Sequence, residues 1–328
     1  MRHVHHGRLR ARLGASVLAI TTLFAGAACG AGASPATEQA VRTGATANVA
    51  APSANGGAQA VVQAELRRLE TWYRGRIGAY AIDTGTGRTV GYRAHERFAT
   101  NSSFKAILCG AVLHKNRTSD PGLLERTLRW TKADLKPHSP VTGLEENIAN
   151  GMTAERLCHA TITTSDNTAA NVLLKEIGGP PELTRFYRFL GDPTGRSDRM
   201  ETELNDWRPG ERRDTVMPAF MAADLRTLTL GPALTAEDRR RLTGWLRANT
   251  TGDTRIRAGL PSDWTVGDKT GTGEAYAVAC DIAIAWPPSG APLIIAVYAN
   301  RNAVDGTVDD SVYAKTATVL ARALGKIS

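Results

Sequence analysis

Little in this chain invites a metal, a nucleotide or a nucleic acid. Of its 7 histidines, His3, His5 and His6 crowd the first residues, while His95, His114, His138 and His159 are scattered without zinc-ligand spacing or paired cysteines. No zinc-hydrolase ligand set forms from such a pattern, and no other metal or cofactor is called for. A Gly-rich loop ending in Gly-Lys-Ser/Thr is missing, as are a G-x-S-x-G elbow in the folded part and any repeat of fixed period. The 40 Lys plus Arg exceed the 32 Asp plus Glu by 8, but Arg2, Arg8, Arg10 and Arg12 supply four of those charges before the first acid. The remaining +4 is interspersed, with no basic stripe or aromatic platform for nucleic acid.

What is present begins with an address. Residues 1–12 are basic and polar and 13–28 apolar, and neither stretch has the length of a membrane-spanning helix, which is the pattern of a secretory signal. Gly26-Ala27-Ala28-Cys29 resembles the cleavage and lipidation site of bacterial lipoproteins, although Gly26 stands where Leu is usual. The chain therefore reads as exported, secreted or periplasmic, with a lipid tether at Cys29 as the alternative to release. Residues 29–59 hold almost no large apolar side chain and are expected as a disordered tether spanning on the order of 30 Å.

The folded part reads as α/β in the α+β sense. A helix over Val61–Tyr73 precedes a hairpin of Ile77–Ile82 and Arg88–Tyr92; a second hairpin pairs Val278–Trp286 with Leu293–Ala299; a helix over Asp309–Leu324 closes the chain. Between them helical periodicity marks 103–114, 121–130, 154–164, 167–177, 182–190, 218–229 and 235–247. Neither hairpin is stable alone, so one antiparallel sheet built from both chain ends, flanked by helices and interrupted by an all-helical domain, is the economical arrangement. This divides the chain into an α/β domain of 60–93 and 249–328 and a helical domain of 94–248, with the active site between them. Nothing marks an oligomer, and the chain reads as a monomer.

Cys109, Cys158 and Cys280 leave room for one disulfide and one free thiol. Closing the 50-residue loop from 109 to 158 would contribute at most about 4 kcal/mol.

Three short motifs carry the chemistry. Ser102-Ser103-Phe104-Lys105 places a serine at a helix start and a lysine one turn on, so the helix end favours negative charge at the serine oxygen and a desolvated lysine can serve as base. Ser165-Asp166-Asn167 lies 63 residues on, and Lys269-Thr270-Gly271-Thr272 begins 104 residues beyond Ser165, on or beside a strand. Each alone has a bland reading: a capping Ser with a solvated Lys, a helix cap, an edge strand. In this order and spacing they resemble the class A serine β-lactamases of the penicillin-recognising family.

Arg199-Met200-Glu201-Thr202-Glu203-Leu204-Asn205 is similar to that family's Ω-loop motif, Arg199 and Asp214 to its closing ion pair, and Cys109 with Cys158 to a disulfide found in some members. The resemblance implies that Ser102 attacks the lactam carbonyl while Lys105, or Glu201 through a water, takes its proton. Ser165 relays a proton to the departing nitrogen, and the backbone N–H groups of Ser102 and Thr272 form the oxyanion hole. Glu201 and Asn205 then direct the deacylating water. Lys269, Thr270, Gly271, Thr272 and Asn167 hold the substrate. Val278 stands where many members carry an arginine, and Arg255 matches the alternative source of that guanidinium; His138 replaces an aromatic residue at the cleft entrance. The expected activity is hydrolysis of penicillins and cephalosporins, conferring resistance. A penicillin-binding sensor or a D,D-peptidase, which would acylate without rapid turnover, is the alternative that Glu201 and Asn205 argue against.

Overall fold

The computed structural model describes residues 54–328; the signal-peptide and lipidation readings and most of the expected tether lie outside them. In chain order the helices are α1 (Ala54–Tyr73), α2 (Phe104–Thr118), α3 (Glu145–Asn150), α4 (Ala154–Thr163), α5 (Asn167–Ile177), α6 (Pro180–Leu190), α7 (Pro218–Thr229), α8 (Ala236–Arg247) and α9 (Ser311–Ala323). The strands are β1 (Gly75–Asp83), β2 (Thr89–Tyr92), β3 (Phe98–Ala99), β4 (Thr127–Leu128), β5 (Met152–Thr153), β6 (Thr215–Val216), β7 (Thr265–Thr272), β8 (Ala279–Trp286) and β9 (Leu293–Arg301).

Both chain ends build one five-stranded antiparallel sheet in the order β2-β1-β9-β8-β7. β1 pairs with β9 along its whole length, from Gly75 opposite Arg301 to Asp83 opposite Leu293, which closes the chain on itself. The central strand β9 and its neighbour β8 are covered on both faces and accordingly read as near-continuous apolar runs.

On one face α1 and α9 bury Val62, Leu66, Val312, Ala317 and Leu320 against Ala81, Ile295 and Val297. On the other, Ile282, Ile284, Ile294 and Tyr298 belong to a core that runs on into α2, α4, α5 and α7. That core crosses the expected boundary between sheet and helical insertion, so the insertion packs on the sheet without a separate core of its own.

Two expectations are corrected. The tether was expected to run to residue 59, but α1 starts at Ala54, because the Gln59 side chain docks on β2, donating to Gly91 O at 2.7 Å and accepting from Gly91 N at 3.0 Å. The helix expected at 121–130 is a set of turns followed by β4, which pairs with β5; Gly122 adopts φ 88° and the Leu124 N–H is taken by Asn116 Oδ1 at 3.1 Å. The structure holds Cys109 and Cys158 as buried thiols, with Cys109 Sγ 3.7 Å from the Cys158 carbonyl oxygen. Cys280 is also a buried free thiol, and burial pushes its pKa up to about 11. The short polar α3, in which Asn147 alone is buried, has no apolar stripe and went unread in the sequence.

Candidate active site

The three motifs meet where the start of α2, the start of α5 and strand β7 converge. Ser102 sits in a single 3-10 turn, Asn101–Ser103, that leads into α2. β7 presses against that turn so closely that a Cβ at Gly271 would lie 2.7 Å from Ser102 N and 2.7 Å from Cys280 Sγ. Glycine is required there by approach, which is the physical content of the Lys-Thr-Gly motif. Asp166 caps α5 through Ala169 N at 2.8 Å, and its carboxylate also accepts from Val141 N, Thr142 N and Thr142 Oγ1. A single buried carboxylate thus holds both α5 and the segment bearing His138.

Lys105, Lys269 and Glu201 are fully buried. Lys105 Nζ lies 3.1 Å from Glu201 Oε1 and donates to Ser165 O at 2.8 Å and Asn167 Oδ1 at 2.5 Å. Burial pushes its pKa below the usual lysine range, against the Glu201 carboxylate that favours the charge. Lys269 Nζ donates to Ser165 Oγ at 3.0 Å; burial first and the Lys105 charge second bring its pKa down to about 7. Ser165 Oγ also accepts from Lys105 at 3.4 Å. With two ammonium groups donating to that oxygen, the hydroxyl proton of Ser165 is left to point elsewhere.

Glu201 is held from several sides. The Ser102 hydroxyl donates to Oε1 at 3.2 Å and Asn205 Nδ2 to Oε2 at 2.8 Å. The Asn171 amide clamps the backbone, accepting from Glu201 N at 2.8 Å and donating to Glu201 O at 2.7 Å. Asn101 Nδ2 donates to Asn205 Oδ1 at 2.9 Å. At the loop's base Arg199 Nε meets Asp214 Oδ2 at 2.6 Å, while Asp214 Oδ1 accepts from the backbone of Asp198 and Arg199.

A cavity of about 290 Å³ opens over these groups, lined by Ser102, His138, Ser165, Asn167, Asn205, Thr251, Arg255 and Thr270 through Thr272. All the sequence-predicted catalytic and binding residues lie at it or directly beneath it. A model of the Beta-lactamase enzyme family matches residues 61–327. The chain belongs to that family.

A β-lactamase of Nocardia asteroides, AST-1, is 49% identical over 81% of this chain and 84% of its own. The carbapenem-hydrolysing β-lactamase KPC of Klebsiella oxytoca is 46% identical over 81% and 89%. Among solved structures, the β-lactamase of Streptosporangium roseum superposes with TM-score 0.80 at 59% identity, covering 82% of this chain and all of that one. A reconstructed class A β-lactamase of the last common ancestor of Gram-negative bacteria gives 0.75 at 48%, covering 81% and 99%. The chain is a class A serine β-lactamase.

For Arg255 the geometry narrows the expectation. Its guanidinium is buried and committed: Nε to Asp310 Oδ1 at 2.9 Å, Nη1 to Gly271 O at 2.9 Å and Cys280 O at 2.8 Å, and Nη2 to Thr272 Oγ1 at 2.8 Å. Its neighbour Arg257 turns the other way, onto Asp268. Arg255 therefore reaches the cleft chiefly through the Thr272 hydroxyl. Val278 is buried against Ala99 and Trp207, just before β8 begins. His138 borders the cleft, exposed, with Nε2 at 2.8 Å from Thr164 O. Sequence reasoning missed Asn171, Thr251 and Asn101. Asn171 carried a usable signal, since it stands one helical turn after Asn167 on α5.

Proposed function

We propose that this β-lactamase opens the β-lactam ring of penicillins and cephalosporins through an ester on Ser102 and hydrolyses that ester with Glu201. The observation that carries the reading is the placement of one carboxylate between two partners, with Ser102 Oγ–H on one oxygen and Asn205 Nδ2 on the other. Glu201 accepts the Ser102 proton as Oγ bonds to the lactam carbonyl carbon. This direct contact favours Glu201 as the acylation base over Lys105, whose ammonium is turned to Ser165, Asn167 and Glu201 itself.

The carbonyl oxygen gathers negative charge against the backbone N–H groups of Ser102 and Thr272, a role supported by the close approach of β7 to the Ser102 turn; one such donor typically contributes about 2.7–4 kcal/mol. As the C–N bond breaks, the nitrogen takes the proton of Ser165, whose oxygen is reprotonated by the ammonium of Lys105, and Lys105 in turn takes the proton that Glu201 gained from Ser102, 3.1 Å away, which leaves Glu201 a carboxylate again. Glu201 then takes a proton from a water that adds to the ester carbon, and Ser102 leaves with its proton restored. Lys269, Thr270 and Thr272 hold the ring carboxylate, Arg255 orients Thr272, and Asn167 holds the amide side chain. Loss of the lactam ring disarms the drug, which is resistance.

Export is supported by the basic-then-apolar start of the chain and lipidation by Cys29 after small residues. Among the described residues no helix is long and apolar enough to cross a membrane. What supports a Cys109–Cys158 bond after export is the contact between the two buried residues, and peptide mapping without reductant tests it.

Turnover tests the function. Residues 54–328, mixed with an excess of benzylpenicillin, are expected to hydrolyse many equivalents per mole at a steady rate. A single equivalent that then stops would assign the site to a sensor or peptidase.

A further inference from the structure

Thr251 lines the cleft four residues before Arg255, and none of the three motifs contains it. Its hydrogen bonds have a fixed polarity. The Thr251 backbone N–H donates to Asn249 Oδ1 at 3.2 Å, and a backbone N–H can only donate, so that atom is the amide oxygen. The other end of the amide agrees, with Nδ2 donating to Asp268 Oδ2 at 2.7 Å, on a carboxylate that Arg257 holds through Oδ1. The Thr251 hydroxyl has one proton, and it goes to Asn249 Oδ1 at 2.9 Å. Thr251 Oγ1 also touches Thr270 Oγ1, so the proton in that contact belongs to Thr270.

We infer that Thr251 is a positioning residue that turns the hydroxyl proton of Thr270 away from the substrate. The chain of donors runs Thr270 to Thr251 to Asn249 to Asp268, and Thr270 shows the cleft its lone pairs. This rests on the β-lactamase reading, in which the substrate's ring carboxylate sits between Lys269 and Thr270. A carboxylate arriving there meets an acceptor. To receive a hydrogen bond it must break the bond from Thr270 to Thr251, or reverse the Thr251 proton and break the bond to Asn249. Thr251 thereby weakens recognition of the anionic group that Thr270 faces, and it does so without touching the reacting atoms.

Thr251→Val keeps the shape, removes the competing acceptor and leaves Asn249 Oδ1 with its backbone donor. The expected result is a KM for benzylpenicillin lowered about 3- to 10-fold, the worth of one neutral hydrogen bond, with kcat within about 2-fold of wild type. Thr251→Ala moves KM the same way, and Thr251→Ser, which restores the hydroxyl, holds the wild-type KM. An unchanged or raised KM in both Val and Ala variants would overturn the inference, as would a Ser variant that behaves like them. A merely structural residue would raise KM or lower kcat instead. Failure of the underlying reading shows separately, as a wild-type protein that turns over no β-lactam.

Discussion

Two layers on opposite sides of the sheet are equally deep and differ in what they bury. Between the sheet and the α1/α9 pair lie Leu66, Ile77, Ile295, Val297 and Leu320, all without exposure. Where β7 meets the starts of α2 and α5 lie Lys105, Lys269, Glu201 and Asp166, also without exposure. In the first layer any well-shaped apolar side chain serves, and the stabilisation is spread over many contacts. In the second each group is specified by partners: Lys105 by Glu201, Ser165 and Asn167, and Glu201 by Ser102, Asn205 and Asn171. Stability and chemistry are thus held in different layers, and substitutions should separate them.

The sharpest separation comes from Glu201→Gln, which keeps size and removes the base. Its kcat for benzylpenicillin should fall about 10²- to 10⁴-fold while circular dichroism reports a native fold. The converse variant is Ile295→Ala in the dry layer, expected to lower unfolding free energy by about 2–5 kcal/mol in urea titration with kcat of the folded fraction unchanged. An equal loss of rate in that variant would break the comparison.

The smallest effect is a titration. Lys269, with its pKa brought down to about 7, carries its charge below that pH and loses it above. KM for a β-lactam bearing the ring carboxylate should therefore rise with pH, on the order of 10-fold between pH 6 and pH 8. A flat KM over that range would place the carboxylate elsewhere.

How far the sequence could be read follows the same division. α5 and α7 occupy 167–177 and 218–229 as their apolar periodicity predicts, and both hairpins lie in one sheet, because repeated apolar positions report which face is buried. The segment 121–130 failed because Leu123 and Leu124 are buried by turns, which periodicity cannot tell from a helix. In the cleft, Ser102, Lys105, Ser165, Glu201 and Lys269 were legible through motif spacing and family resemblance, with no periodic signal behind them. The Thr251–Asn249–Asp268 chain and the commitment of Arg255 to Asp310 were not, since they depend on β7 and α9 packing beside the 249–255 segment.

The central claim is that one carboxylate, Glu201, releases the ester formed on Ser102. The most direct test is the intact mass of Glu201→Gln after mixing with benzylpenicillin, followed over minutes and located by peptide mapping. An adduct on Ser102 that forms slowly, because the acylation base is lost as well, and then persists to stoichiometry while the wild type shows none is the predicted result. A variant that stays unmodified and turns over at the wild-type rate would contradict it.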